Sequence, residues 1–224
     1  MTRAGTPEDV GPAVEVYRAA QAARGRRPTK ERLARVEEKL GEGLLVVADQ
    51  RRGFALGEAG LADDGAGEPV PGLLHLAMVF VHPDHQRQGL GAELVEALAD
   101  AAWANGYRDI AVWTATPEFY EAVGFARSGR TRDDWVHLTA ELEAPLREVR
   151  VHDTAIRLGQ LLKLAELVDT GSEAKQLLAD GGVEVNGELE VRRGRQLAHG
   201  DEVRARDQAV RVVLTGPVSG SAGA

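Results

Sequence analysis

The stretch from residue 73 to residue 105 constrains the fold of this chain more than any other part of its sequence. An apolar run from Leu73 to Val81 predicts a strand, and apolar residues at helical spacing after residue 90 predict a helix that packs against a sheet. Between them lies the sequence Gln-Arg-Gln-Gly-Leu-Gly at residues 86–91. The first turn of a helix leaves backbone N–H groups without intrahelical acceptors, and glycine lets a ligand approach the backbone closely. We therefore expect a phosphate-bearing ligand to bind at residues 86–92.

The spacing of the glycines narrows the choice of ligand. No Lys-Ser or Lys-Thr follows the second glycine, as a P-loop requires, and the third glycine of a dinucleotide fingerprint is missing. The order Gln-x-x-Gly-x-Gly, after a Val-Phe-Val strand end and a His-Pro turn, closely resembles the acetyl-CoA motif of the GNAT N-acetyltransferases. Phe119-Tyr-Glu-Ala-Val-Gly-Phe125 resembles a second motif of that family. The resemblance covers about residues 5–142 and implies an α+β domain, with one mixed sheet flanked by helices.

The GNAT resemblance implies which residues bind acetyl-CoA and act in catalysis. Backbone groups of Val79, Phe80 and Val81 would pair with the pantetheine arm, and the Val79 amide would donate to the thioester oxygen. Tyr120 would return a proton to the leaving thiolate. Some GNAT enzymes place a carboxylate four residues before the first strand residue that contacts pantetheine, and His75 at that position would act as general base. Its even spacing from Val79 would place both on the same strand face, and an imidazole suits this role near neutral pH. The pyrophosphate would lie on the segment formed by Gln86, Arg87, Gln88, Gly89, Leu90, Gly91 and Ala92. A packing role without chemistry stays open for both His75 and Tyr120.

The chain from about residue 150 onward has a different pattern. A leucine-rich helix begins at Ile156, and Thr170 can cap a second helix. Asn186-Gly187 between two β-type runs is a strong signal for a tight hairpin. This order, followed by a His-Gly-Asp turn at residues 199–201, closely resembles the S4 RNA-binding domain and most of all the small stand-alone S4-like proteins of bacteria. The resemblance spans about residues 153–214 and implies a small α/β RNA-binding domain.

The S4 resemblance implies ribosomal or transfer RNA as a partner. Residues 147–224 carry a net charge of −1, out of −8 for the whole chain, so they lack the basic excess usual in such modules. Individual lysine and arginine side chains can still contact phosphates if the hairpin packs beside the two helices. The candidates are Arg157, Lys163, Lys175, Arg192, Arg193 and Arg195. A degenerate S4 fold used for protein docking is the alternative.

The 224 residues are therefore expected to form a GNAT domain at 1–142, a linker at 143–152, an S4-like domain at 153–215 and a disordered tail at 216–224. A Gly-, Pro- and acid-rich stretch at 62–72 predicts a loop. No apolar run approaches the length of a membrane span, and the chain has no cysteine. We expect a cytoplasmic protein with no membrane partner and no metal.

Together, the two resemblances predict an acetyl-CoA-dependent N-acetyltransferase with an S4-like module that targets it to ribosomal RNA, transfer RNA or ribosome-associated acceptors. The amine acceptor itself is unknown. Two alternatives stay open. The chain could be an RNA-binding protein whose GNAT domain only senses acetyl-CoA or is catalytically inactive. It could also be a small-molecule acetyltransferase with a structural appendage.

Overall fold

The computed structural model describes residues 1–61 and 68–216. The chain forms two compact units, Met1–Glu143 and Ala144–Ala224. The predicted disordered tail lies, apart from Gly216, outside the described residues. Most of the predicted loop at 62–72 lies outside them as well, and its last four residues differ from the prediction because they begin a strand that pairs with Leu61.

The first unit is built on one mixed sheet, as the sequence predicted. Its described strands follow the order β1-β2-β3-β4-β5-β7-β6, and all neighbours are antiparallel except β4 and β5. In chain order the elements are β1 (Thr2–Ala4), α1 (Val10–Ala23), α2 (Lys30–Glu42), β2 (Leu44–Ala48), β3 (Gly53–Leu61), β4 (Pro69–Val81), α3 (Leu90–Ala104), β5 (Asp109–Thr114), α4 (Pro117–Glu121), β6 (Ala126–Arg132) and β7 (Trp135–Glu141).

Each face of this sheet has its own hydrophobic core. Leu94 and Leu98 of α3 pack against one face, where they meet Leu74 of β4. Val36 and Leu40 of α2 pack against the opposite face with residues of α1. Full burial of a side chain of this size stabilises the fold by about 1.5–3 kcal/mol. The two cores therefore fix which side chains of each strand face α3 and which face α1 and α2.

The second unit contains two short helices and two small sheets. Its elements are β8 (Leu146–Val151), β9 (Ile156–Arg157), α5 (Leu158–Leu164), α6 (Gly171–Ala179), β10 (Val183–Val185), β11 (Glu188–Leu189), β12 (Gln196–Leu197), β13 (Glu202–Ala205) and β14 (Gln208–Leu214). The larger described sheet has the order β11-β10-β13-β14-β8, and β12 pairs with β9. Leu158, Leu161 and Leu162 of α5 lie in the core of this unit.

The expected linker at 143–152 contains a strand. Residues 146–151 form β8, which pairs with β14 in parallel register. Val149 and Val151 alternate inward into the core of the second unit, and this burial favours a strand over a flexible connection. The predicted hairpin is confirmed: Asn186 and Gly187 have φ of 56° and 80°, and β10 pairs with β11 across them. Two positive φ angles are what a two-residue type I′ turn requires.

Candidate functional site

The parallel strands β4 and β5 pair only at their beginnings. Their register runs from Leu73 opposite Asp109 to His75 opposite Ala111. β4 continues to Val81 and β5 to Thr114 without further pairing between them. Since a strand carries N–H and C=O groups along both edges, the second half of β4 turns one edge into this opening.

The hydrogen bonds of β3 decide which amides of β4 face the opening. The N–H of His82 donates to the carbonyl of Arg52 at 2.8 Å, so this pair is a hydrogen-bonded pair of the antiparallel ladder. Hydrogen-bonded and non-bonded pairs alternate, and Val79 and Val81 therefore turn their N–H groups toward the opening. Phe80 pairs with Phe54 at a hydrogen-bonded position of the ladder, so its N–H and C=O groups point toward β3 and away from the opening. Its predicted contact with pantetheine is accordingly corrected.

A β-bulge lies between His75 and Val79. Leu76 pairs with Gly57 and Met78 with Leu56, which leaves Ala77 as an extra residue on β4. Leu76 and Val79 pack in the core under α3, although their spacing is odd. His75, next to Leu76, consequently faces away from α3 while the Val79 side chain faces toward it. The predicted shared face of His75 and Val79 is therefore wrong, because the bulge shifts the alternation by one residue.

The glycine-rich segment leads into α3 with an unusual backbone. Arg87 and Gly89 have φ of 59° and 81°, and Gly89 is the N-cap of the helix. Successive amides in alternating right- and left-handed conformations form a concavity that suits an anion. The Gln86 side chain donates to the Val81 carbonyl at 3.2 Å and ties this segment to the end of β4. Leu90 is buried, so only its backbone is available to a ligand. Gln88 and Ala92 lie in the same segment.

Tyr120 belongs to the core between the sheet and α3. Its ring packs edge-on against Phe119 and Phe125. Phe119 in turn covers Gly91, where a Cβ would lie 3.3 Å from two ring carbons. α4 therefore sits over the start of α3 and brings Tyr120 near the glycine-rich segment. Burial raises the pKa of Tyr120 to about 12, which keeps the phenol protonated at neutral pH.

A cavity of about 490 Å³ opens on the other face of the sheet, beside the paired beginnings of β4 and β5 and the adjoining end of β3. His75 lines it and lies directly opposite Glu58 in the β3–β4 register. Glu58 accepts two hydrogen bonds of 2.7 Å from Lys39 of α2. Trp113 contributes a further wall, and its ring centroid lies 4.9 Å from that of His137.

Sequence reasoning missed the residues of this cavity other than His75. His137 is buried, and its Nδ1 lies 2.8 Å from Ser128 Oγ. Trp113 and His137 are paired neighbours on β5 and β7, so they necessarily share a face. The alternation of side chains along a strand would have placed them together if the pairing of β5 with β7 had been known. The sequence does not give that pairing.

The second unit brings three of the six predicted cations together. Arg157, Lys163 and Arg193 line a concavity of about 430 Å³ with Gly159 and with two further residues, Gln160 and Gly194. Lys175 is exposed on α6 and is absent from this lining.

Arg192 and Arg195 instead pair with a carboxylate that sequence reasoning missed. Glu190 is only 3% exposed and accepts hydrogen bonds from both side chains, at 2.8 Å from Arg192 Nη2 and 3.0 Å from Arg195 Nη1. The hydrogen bonds from Arg192 in particular hold the pKa of Glu190 well below its usual range. The sequence shows a glutamate close to several arginines, and this pattern could have suggested an ion pair. It does not show that the glutamate is buried.

Comparison with known families agrees with both units. A model of the acetyltransferase (GNAT) domain matches residues 41–127, and a model of the S4 domain matches residues 149–213. The chain joins a GNAT acetyltransferase domain to an S4 domain. Both resemblances predicted from the sequence are thereby confirmed. Among the described residues, no helix of this two-domain chain is long and apolar enough to cross a membrane.

Individual relatives cover one domain each. A probable ribosome maturation protein, RlbA of Bacillus subtilis (strain 168), is 44% identical over 55 residues, which are 25% of this chain and 78% of that protein. The structure of an aminoglycoside 6'-acetyltransferase type Ii is 16% identical with a TM-score of 0.51, over 65% of this chain and 99% of that one. The GNAT domain of S. lividans PAT is 16% identical with a TM-score of 0.50, over 63% and 89%. At this identity the two structures speak for the fold alone.

Proposed function

We propose that this protein is an acetyl-CoA-dependent N-acetyltransferase whose S4 domain binds RNA and brings the enzyme to acceptors near that RNA. The observation that carries the proposal is the opening between β4 and β5, which has the glycine-rich segment at one end and the cavity with His75 on the far face. His75 and Ala111 form the last pair of β4 and β5 and also line the cavity, so a ligand in the cavity would lie next to one in the opening. That arrangement suits a transfer between two substrates.

The residues around the opening fit acetyl-CoA. Val79 and Val81 offer amides on the open edge of β4, which suit the amide groups of a pantetheine arm. The segment from Arg87 to Gly91 offers the concavity and the helix N-terminus that suit a pyrophosphate. A Cβ at Gly89 would meet no atom within 4 Å, so the backbone there is accessible. Acetyl-CoA supplies the acetyl group as a thioester.

Three groups of the chain would then carry the chemistry. The Val79 N–H can donate to an oxygen on which negative charge develops. Tyr120, protonated at neutral pH, can donate a hydrogen bond to a leaving thiolate and give it a proton, which water then restores to the phenolate. His75 lies on the cavity wall, where an imidazole can take the proton that an amine must lose before it attacks.

The S4 domain supports the second half of the proposal. Arg157, Lys163 and Arg193 converge on one concavity, as phosphate contacts require. The relative from Bacillus subtilis is described as a probable ribosome maturation protein, so ribosomal RNA is the RNA that we propose first. Binding to RNA would raise the local concentration of nearby acceptors around the catalytic domain.

The first experiment measures thermal unfolding with and without acetyl-CoA in a matched pair of variants. Both Asn and Asp tolerate the left-handed conformation of Gly89, and both have space for their side chains there. A ligand at 100 times its dissociation constant stabilises the state that binds it by about 2.7 kcal/mol. We expect a clear shift in wild type and in Gly89→Asn, and a much smaller one in Gly89→Asp because its charge repels the pyrophosphate. Equal shifts in both variants would contradict the proposed cofactor site.

The second experiment measures release of the CoA thiol with a panel of amines and with ribosomes. Turnover of any amine would exclude a domain that only senses acetyl-CoA. If ribosomes supply the acceptor, an excess of competing RNA should reduce acetylation of ribosomal proteins but not of a small free amine. Reduction of both reactions alike would argue against targeting through RNA.

A further inference from the structure

The segment from Glu190 to Leu197 contains three arginines, and they do not have the same surroundings. Glu190 accepts hydrogen bonds from the backbone N–H of Arg192 at 2.8 Å and from its Nε at 2.9 Å, besides the two guanidinium contacts given above. Both oxygens of the Glu190 carboxylate are thus engaged by the side chains of Arg192 and Arg195, and the carboxylate offsets one of their two positive charges. Arg193 lies between them in sequence and is not part of this group.

Backbone contacts fix the same segment against the start of α5. The carbonyls of Arg195 and Arg193 accept hydrogen bonds from the amides of Leu158 and Gly159, at 2.8 and 3.0 Å. β12 then pairs with β9 immediately before the helix. The loop therefore caps α5 with two carbonyl groups, and the direction of the Arg193 side chain follows from that docking.

The Arg193 side chain runs across two glycines. A Cβ on Gly159 would lie 2.5 Å from Arg193 Cγ, and a Cβ on Gly171 would lie 3.1 Å from its Nη2. A Cβ atom and Cγ of Arg193 cannot lie as close as 2.5 Å, so the path of the Arg193 side chain requires glycine at position 159. The guanidinium thus reaches from the first turn of α5 to the first residue of α6.

This path adds a third positive charge to a small concavity. Arg157 and Lys163 line it together with Arg193, and no carboxylate occurs among its described lining residues. Three cations around about 430 Å³ repel one another, and an anion between them relieves the repulsion. The guanidinium of Arg193 also offers the planar pair of donors that matches a phosphate group.

We propose that Arg193, with Arg157 and Lys163, binds an RNA phosphate, and that Glu190 is a positioning residue that withdraws Arg192 and Arg195 from this contact and shapes the loop that directs Arg193. The inference rests on the proposed RNA binding of the S4 domain and assigns its phosphate site. Arg192 and Arg195 thus hold the loop through Glu190, and Arg193 contacts the phosphate.

The test compares salt slopes of binding to a fluorescently labelled RNA hairpin for the full-length protein. Each phosphate contact contributes about 0.7–0.9 to the slope of log K against log salt. Arg193→Gln should lower the slope by one such contact, whereas Arg192→Gln, with the same change in charge, should leave it unchanged. Equal losses in both variants, or a loss in Arg192→Gln alone, would overturn this inference while leaving RNA binding intact. Wild type without any salt-dependent binding would overturn the proposed function as well.

Gly159→Ala provides a variant that keeps every charge. Alanine favours a helix more than glycine does, so α5 should persist, but its Cβ excludes Arg193 from its path. The slope should fall as it does in Arg193→Gln. An unchanged slope with the helix content of wild type would overturn the assigned path.

Glu190→Gln separates positioning from general electrostatics. Removal of a negative charge should strengthen RNA binding if Glu190 only contributes to the local potential. A positioning role predicts weaker binding despite the added positive charge, in protein that circular dichroism shows to be folded at the assay temperature. Glu184→Gln, an equal charge change at an exposed residue of β10, is the control and should not weaken binding. Stronger binding by Glu190→Gln would overturn the positioning role.

Discussion

Replacement of Tyr120 by phenylalanine removes one hydroxyl group from the core between the sheet and α3 of the GNAT domain. Tyr120 is 8% exposed, and its ring is held by Phe119 and Phe125, so phenylalanine should occupy the same space. The substitution therefore isolates the ionisation of the phenol. If Tyr120 is an acid, it must carry its proton at the pH of catalysis before the leaving thiolate takes that proton.

The magnitude follows from the pKa. Burial raises the pKa of Tyr120 from its ordinary value of 10.0 to about 12 in the folded state. A shift of about two pH units corresponds to about 2.7 kcal/mol between the protonated and the ionised phenol. The unfolded state loses its proton first, so the folded state is fully favoured below pH 10 and loses stability as the pH rises toward 12. Between pH 9 and pH 11, wild type should lose about 1.3 kcal/mol more of its free energy of unfolding than Tyr120→Phe.

Urea unfolding at a series of alkaline pH values measures this difference. All three tryptophans, Trp103, Trp113 and Trp135, lie in the first unit, so their fluorescence follows that unit alone. The other two tyrosines and all lysines are common to both proteins, and their titration cancels in the comparison. Parallel stability curves for the two proteins would show that the phenol is not shielded from water. That result would refute the burial of the phenol, but it would leave the acid role open, because a phenol with its ordinary pKa of 10.0 is also protonated at neutral pH.

Three further results are expected. Gly187→Ala should destabilise the second unit by about 1–2 kcal/mol, because φ at this turn position is +80°, and circular dichroism during unfolding would measure it. His75→Gln should lower kcat at neutral pH and much less near pH 10, where an amine loses its proton unaided; a uniform loss across the pH–rate profile would exclude a base role. Lys39→Met should change stability by less than about 1 kcal/mol, since the pair with Glu58 is partly exposed, yet raise the KM of the acceptor if the cavity binds it.

The glycine-rich segment and the Asn-Gly hairpin could be predicted because local chemistry determines them. Gly89 and Gly187 adopt positive φ, which few other residues tolerate, so their positions in the sequence mark the turns directly. The apolar spacing of α3 likewise depends on nothing beyond the helix itself and the presence of a sheet to pack on. In each case the information lies within a few residues of the feature.

The face of His75 could not be predicted, because it depends on a bulge. Ala77 has no sequence signature of an extra residue, and the shift appears only in the pairing of β4 with β3. A single unpaired residue reverses every later side chain of the strand. The N–H of Val79 points into the opening, since its direction is set by the ladder after the bulge, and its contact with acetyl-CoA stays a prediction. The side-chain argument that linked Val79 to His75 was wrong.

Charge presents the same difficulty in both domains. Lys39 and Arg192 look like available cations in the sequence, but each is paired with a carboxylate from a distant or buried position, Glu58 in the first domain and Glu190 in the second. A count of positive residues therefore overstates the positive charge that is available to a ligand in these places. The net charge of −1 in residues 147–224 understates it, because Arg193 stands apart from the Glu190 group and faces a concavity without carboxylates among its described walls. Ligand binding at such sites depends on which cations the fold leaves unbalanced at one place, and that property appears only once the buried carboxylates have been located.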